Sequence, residues 1–203
     1  MQKFKTEKRL NKIKSVVKQR QHSLKVVLEN IHDPHNVSAI YRTCDSVGIP
    51  KVTLIYNTEE FPKISRVSSS SANKWVESEK YKTAKECFDD LRKDGFKIYA
   101  SQLNEKAKKI YSFDLTDKVA LVFGNEHRGI SEEVAELADE IFYIPMRGMI
   151  QSLNVSVATA VTLYEAQRQR EEKGMYETSD LNEDDLEKMI DKWCAKWFKK
   201  LKR

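Results

Sequence analysis

The sequence predicts an α/β domain in which a mostly parallel sheet is flanked by helices, and two observations carry that prediction. Short apolar runs alternate with segments of helical period along most of the chain, and several of those runs are apolar at successive positions, as strands covered on both faces are. With 203 residues and 40% hydrophobic content, the chain can bury one full core and a small helical appendage, but not two large domains.

In "EKRLNKIKSVVKQRQ" the residues Leu10, Ile13 and Val17 recur at helical spacing, which predicts an amphipathic helix with one docked edge in an N-terminal arm, residues 1–22. "LKVVLENI" is short and β-branched and reads as a buried strand over Leu24–Leu28. In "DPHNVSAIYRTCDSVGIP" the period becomes helical through Val37, Ile40, Tyr41, Cys44 and Val47; Asp33 and Pro34 suit a cap and first turn, and Gly48 a stop. A strand over Lys51–Tyr56, a serine-rich loop with the run Ser68–Ser71, a strand in "VESEKY", a helix in "TAKECFDDLRKDG" and a strand in "KIYASQ" follow. The alternation continues with strand "KVALVFG", loop "NEHRG", helix "ISEEVAELA", strand "EIFYIP" and a long helix after "MRGMIQSLN". Its interior, "VSVATAV", reads as a buried packing face. The domain then covers residues 23–172. A last helix within the extension 173–203 carries Leu186, Ile190, Trp193 and Trp197 on one stripe and is expected to dock on the domain or on a partner.

The net charge of +5 is unevenly spread. Residues 1–25 hold nine Lys or Arg against the single Glu7, a local charge of +8, so the remainder carries −3. That asymmetry points to a basic arm for a polyanion, against the plainer reading of a solvated basic face. The tail "KKLKR" is a second, smaller basic cluster. No apolar run is long enough to span a membrane and the N-terminus lacks the apolar stretch of a signal peptide, so a cytoplasmic, membrane-free protein is expected. Cys44, Cys87 and Cys194 form no C-x-x-C and read as buried small hydrophobes.

In a parallel α/β sheet ligands bind beyond the carboxyl ends of the strands, which directs attention to "IHDPHN", "SQLNE", "GNEHRGIS" and "MRGMIQSLN". The chain has no G-x-G-x-x-G, no G-x-x-x-x-G-K-[ST] and no G-x-S-x-G, which disfavours an ordinary dinucleotide fold, a P-loop and a nucleophile-elbow hydrolase. His32, His35 and His127 lack metal-ligand spacing, so no metal is expected. What remains is a polar set, Asn36, Arg42, Asn125, Glu126, Arg128, Ser152 and Asn154, suited to ribose, phosphate and a cofactor rich in polar atoms.

Three segments, "NVSAIYRTCDSVGI", "LVFGNEHRGIS" and "IPMRGMIQSLNVSVATAVTLYEAQRQR", resemble in order and spacing the three motifs of the SpoU/TrmH family of SPOUT RNA 2′-O-methyltransferases, from about Leu24 to Arg170. The short basic arm and C-terminal helix are more similar to its tRNA-modifying members than to rRNA relatives with a larger N-terminal domain. The resemblance implies a C-terminal trefoil knot, which the rarity of knots would otherwise exclude. It implies a homodimer, and S-adenosyl-L-methionine held largely through backbone groups at Ser101, Gly124, Ile144 and Leu153. The implied reaction methylates the ribose 2′-OH of guanosine 18 in the D-loop of tRNA; the alternatives are another tRNA nucleotide or rRNA, or an RNA-binding protein without catalysis. The catalytic residues implied are Arg42, Asn36, Glu126, Ser152 and Asn154.

Each has a plainer reading: an exposed helix arginine for Arg42, a turn cap for Asn36, a helix-start carboxylate for Glu126, caps of the long helix for Ser152 and Asn154. The family's proposal makes Arg42 the general base or its activator. A guanidinium is effectively always protonated, so a phosphate clamp that orients the hydroxyl, leaving the proton to Glu126 or solvent, stands beside it. Lys8, Arg9, Lys12, Arg20, His35, Arg168 and Arg170 are expected to track tRNA phosphates.

Overall fold

Val26, Val27 and Leu28 are all fully buried. Continuous burial of this kind belongs to a strand with neighbours on both sides and layers on both faces. The run forms β1 (Leu24–Glu29) in the middle of a seven-stranded sheet. In this computed structural model, which describes residues 7–62 and 72–201, the other strands are β2 (Lys51–Ile55), β3 (Glu77–Tyr81), β4 (Lys97–Ser101), β5 (Lys108–Lys109), β6 (Val119–Phe123) and β7 (Glu140–Tyr143). Lys3, Lys5, the serine run Ser68–Ser71, the side chain of Trp197 and the side chains of the "KKLKR" tail lie outside what is described. The strand order is β3-β2-β1-β6-β4-β7-β5 and every pair is parallel. The mostly parallel sheet flanked by helices is therefore as the sequence predicts.

The helices are α1 (Glu7–Lys18), α2 (Pro34–Ser46), α3 (Ala84–Lys93), α4 (Glu132–Leu137), α5 (Val155–Glu172) and α6 (Glu183–Leu201). Alternation along β1 sends Leu24, Val26 and Leu28 to one face, where they pack with Val37, Ile40, Tyr41 and Cys44 of α2 and Leu163 and Ala166 of α5. Val27 points to the other face, among Cys87, Phe88 and Leu91 of α3 and Val134 of α4. Each such fully buried aliphatic contributes about 1.5–3 kcal/mol relative to exposure. Side-chain caps set the starts: Asp33 accepts from His35 N at 2.8 Å ahead of Pro34 in α2, Thr83 from Glu86 N in α3, and Ser131 from Val134 N in α4. Gly48 ends α2 with φ +88, and a side chain there would meet the Gln19 carbonyl oxygen at 2.8 Å.

Three features refine the sequence reading. In "VESEKY" only Val76 is buried, and β3 itself, Glu77–Tyr81, is an edge strand with no buried residue. The interior of α5 is not buried throughout: the helix seats Thr159, Thr162, Leu163 and Ala166, and leaves Val157 and Tyr164 46% and 53% exposed. The terminal helix α6 docks on α1, the two sharing a satellite core of Ile13, Val17, Ile190, Trp193 and Cys194 completed by Trp75. Each helix is amphipathic and covers the other's apolar stripe. All three cysteines are buried, and none forms a disulfide.

Because β1, β4, β6 and β7 run the same way, the segments that follow Glu29, Ser101, Phe123 and Tyr143 open on one edge of the sheet.

Candidate active site

A cavity of about 820 Å³ lies on that edge, within the size range of small-molecule sites. Ser101 at the end of β4, Gly124 after β6, Ile144 after β7 and Leu153 ahead of α5 all line it, so the four positions expected around a cofactor share one hollow. Leu103, Ile150 and Val155 add apolar wall, and Gly124 through Gly129 form one side. Gly124 has no alternative: a Cβ would stand 2.2 Å from the carbonyl carbon and oxygen of Gly129 and 2.3 Å from Ile130 N. Apolar side chains interleaved with about as many polar ones, among them Gln102, His127, Arg128 and Gln151, together with strand-end backbone, fit a nucleoside-like ligand. Among the described residues no three His, Cys, Asp or Glu gather as a metal-holding group.

At the rim three sequence-distant residues are joined. The Asn36 side-chain amide donates to Glu126 Oε1 at 2.9 Å, and its Oδ1 accepts from Asn154 Nδ2 at 3.0 Å. Glu126 also receives the backbone N–H groups of His32 at 3.0 Å and Asp33 at 3.1 Å. Burial of the Glu126 carboxyl pushes its pKa up, but the bonds from Asn36 and the backbone outweigh it and hold the group below the ordinary glutamate value. A carboxylate with three donors and lowered basicity is poorly suited to take a proton. It is well suited to fix α2 against the loop after β6. Asn154 caps α5 by accepting from Ser156 N at 2.9 Å, so the plain and functional readings of this residue coexist. Ser152 is exposed and lines the cavity.

Arg42 stands apart from this group. It is exposed on α2 and is not among the cavity's lining residues. Its guanidinium is thus available to an approaching polyanion. His35 is exposed in the first turn of the same helix.

The expected RNA contacts divide sharply. Lys8 and Lys12 are exposed on α1, and Arg9 lies 5.8 Å over the Trp75 ring. Arg168 is exposed but lies along α5 between Glu165 and Glu172, with bonds of 2.8 and 2.6 Å. Arg20 and Arg170 are corrections: both are fully buried, so neither reaches a phosphate in this structure. Arg170 donates to the carbonyls of Leu115, Ser23 and Asp117 and to the side chains of Gln21 and Ser23. Arg20 pairs with the Asp45 carboxylate, donates to the Ile49 carbonyl and lies 4.8 Å over the Trp193 ring. A buried guanidinium needs such a surround of acceptors; for Arg170 segments far apart in sequence supply it, whereas the buried Arg20 Nε has no acceptor among the described residues.

Sequence reading passed over Asn30 and Glu59, and weighed His32 only as a metal ligand. Asn30 has φ 51 at the end of β1, and Glu59 bridges Arg128 at 2.6 Å and His32 at 3.3 Å beside the cavity's outer loop. An asparagine directly after an apolar strand was the available signal, since Asn is one of the few residues at ease in a left-handed conformation.

Comparison with known proteins places this arrangement. The family model described as SpoU rRNA Methylase family matches residues 23–164. The chain is 44% identical over 191 residues to a tRNA (guanosine(18)-2′-O)-methyltransferase of Thermus thermophilus, covering 94% of this chain and 98% of that protein. It superposes on the crystal structure of the A. aeolicus TrmH/SpoU tRNA modifying enzyme with a TM-score of 0.87 at 42% identity, over 93% of this chain and 96% of that one. It shares its fold with the SpoU methyltransferase AviRb from Streptomyces viridochromogenes in complex with AdoMet, with a TM-score of 0.65 at 24% identity over 75% of this chain and 58% of the other.

Proposed function

The chain belongs to the SpoU rRNA Methylase family, and from that premise we propose that it transfers a methyl group from S-adenosyl-L-methionine to the ribose 2′-oxygen of guanosine 18 in the D-loop of tRNA. The observation that carries the reading is the bonded set Asn36, Glu126 and Asn154 beside a cavity lined by Ser101, Gly124, Ile144 and Leu153, in a chain so similar to an enzyme of that name. The trefoil threading belongs to the same reading: β7 lies between β4 and β5 while the helix after it returns to pack on α2. So do the division into residues 1–22, 23–172 and 173–203, and the cytoplasmic location a tRNA substrate entails.

S-adenosyl-L-methionine, when bound, supplies an electrophilic methyl carbon; the cavity's apolar walls and strand-end backbone would hold it. Asn36 and Glu126 fix the first turn of α2 to the cavity loop, and Asn154 ties the start of α5 to the same point. Arg42 grips an RNA phosphate with its guanidinium and orients the neighbouring ribose, while the 2′-OH proton passes to solvent rather than to Glu126, which already accepts three hydrogen bonds. Lys8 and Lys12 supply sequence-independent attraction to the tRNA backbone.

Homodimerisation is part of the proposal. Val157 and Tyr164 on α5 are exposed, as are Met149 at 99% and Ile150 at 62% beside the cavity mouth, an apolar surface that calls for cover. A second copy of the chain supplies it. Sedimentation of the wild type and of Tyr164→Glu tests this, a dimer being expected only for the former.

The function is tested by incubating the protein with methyl-labelled S-adenosylmethionine and an unmodified tRNA transcript, then digesting the product. Label on guanosine 18 is expected. Label on another nucleotide, or only on rRNA, overturns the substrate, and RNA binding with no transfer overturns catalysis.

A further inference from the structure

We propose that Asn30 is a positioning residue for methyl transfer, a bracket at the carboxyl end of β1 that sets the cavity loop by tying the ends of β2 and β6 together. The inference rests on the reading of this edge as the methyl-transfer site. Asn30 is 6% exposed and holds φ 51. Every polar group it has is engaged. Its N–H donates to the Ile55 carbonyl at 2.9 Å, fastening the end of β2. Its Oδ1 gathers the N–H groups of Asn57, Thr58 and Glu59 at 3.2, 3.3 and 3.2 Å, and its Nδ2 donates to Asn57 Oδ1 at 2.8 Å. Its carbonyl accepts from Asn125 Nδ2 at 2.7 Å, the first residue of the loop beyond Gly124.

Those bonds converge on the cavity from two sides. Asn125, held by Asn30, folds its own loop by accepting from His127 N at 3.0 Å and Arg128 N at 3.3 Å, and its backbone bridges Gly129. The turn shaped by Asn30 places Glu59, which takes Arg128 at 2.6 Å and so grips the same loop from outside. Residues 124–129 all line the cavity, and Glu126, which reaches Asn36, springs from their midst. A shift of this loop therefore moves the cavity wall and the anchored α2 together.

The side chain and the backbone are separable by substitution. Asn30→Gly keeps a residue at ease with positive φ and the backbone bonds to Ile55 and Asn125, but deletes the side-chain bonds that shape residues 57–59 and place Glu59 on the cavity loop; Asn30→Asp keeps an acceptor for the three N–H groups and loses the donor to Asn57, whose amide turns to face the new oxygen. Three readouts apply: S-adenosylmethionine affinity by calorimetry, kcat on the tRNA transcript, and amide hydrogen exchange across residues 125–130. For Asn30→Gly, folded at the assay temperature, cofactor affinity and kcat are expected to fall on the order of tenfold to a hundredfold. Exchange is expected to quicken in residues 57–59 and 125–130 and to stay unchanged in α3, with Asn30→Asp restoring most of both. Wild-type affinity, kcat and exchange in Asn30→Gly would overturn the proposal, as would a uniform rise in exchange with no local excess. If the wild type itself transfers no methyl to tRNA, the functional reading fails, whereas the exchange pattern still decides the role of Asn30.

Discussion

Asn154 donates its side-chain amide to Asn36 across 118 residues of chain, joining the cap of α5 to the first turn of α2 at 3.0 Å. Asn36 passes that connection to Glu126, so one carboxamide unites three strand-end segments. Replacing it by alanine removes both bonds and leaves the amide of Asn154 and one lone pair of Glu126 unpaired. Asn36→Ala is expected to lower kcat on the order of a hundredfold with little change in fold, checked by single-turnover methyl transfer alongside circular dichroism. A kcat within twofold of wild type would remove the connection from catalysis.

Arg42 is exposed and has no place on the cavity wall, which makes its substitution clean. Arg42→Ala is expected to abolish turnover, to leave the melting temperature within experimental scatter, and to leave S-adenosylmethionine affinity intact. Calorimetry and a labelled-methyl assay on one preparation check all three.

Gly124 meets the backbone of Gly129 and Ile130 so closely that even one methyl group forces the loop apart. Gly124→Ala is expected to cost about 1–3 kcal/mol of stability and to abolish cofactor binding. Denaturant titration and calorimetry measure the two effects.

The basic residues separate into structural and electrostatic sets. Arg170→Met deprives several buried carbonyls of their donor and is expected to destabilise by about 3 kcal/mol, lowering the melting temperature by roughly 6–12 °C. The salt dependence of tRNA binding is expected to stay as it is. Lys8→Ala with Lys12→Ala behaves oppositely, flattening the slope of log affinity against log salt by roughly 0.7–0.9 for each phosphate that is no longer neutralised. Binding titrations at several salt concentrations distinguish them.

Glu126 has a folded-state pKa below its ordinary value, so its ionised form stabilises the native state above that ordinary value and the contribution is lost as pH falls through the lower one. The stability difference between wild type and Glu126→Gln is therefore expected to be constant from neutral pH to about 5 and to shrink below it. Thermal melts across that window show it; a difference growing on acidification would contradict the assignment.

The elements were legible because their causes are local. The apolar run at Val26 to Leu28, the helical stripe from Val37 to Cys44 and the cap Asp33 each lie within a few neighbouring residues. The four loops shared an edge once the strands were read as parallel, and the motif resemblance picked out Asn36, Glu126 and Asn154. Arg20, in a basic segment, and Arg170, in a charge-rich one, have the sequence pattern of surface charges, while the acceptors that bury them come from elsewhere. Arg170 draws on Leu115 and Asp117 as well as Gln21 and Ser23. The docking of α6 on α1 and the role of Asn30 are likewise set by distant partners.

The central claim is transfer to a ribose 2′-oxygen at guanosine 18, and one comparison tests it most directly: labelled-methyl transfer to two otherwise identical tRNA transcripts, one with an ordinary ribose at guanosine 18 and one with a 2′-deoxyribose there. The account predicts incorporation approaching one methyl per ordinary transcript and none into the deoxy-substituted one. Equal incorporation into both would contradict it.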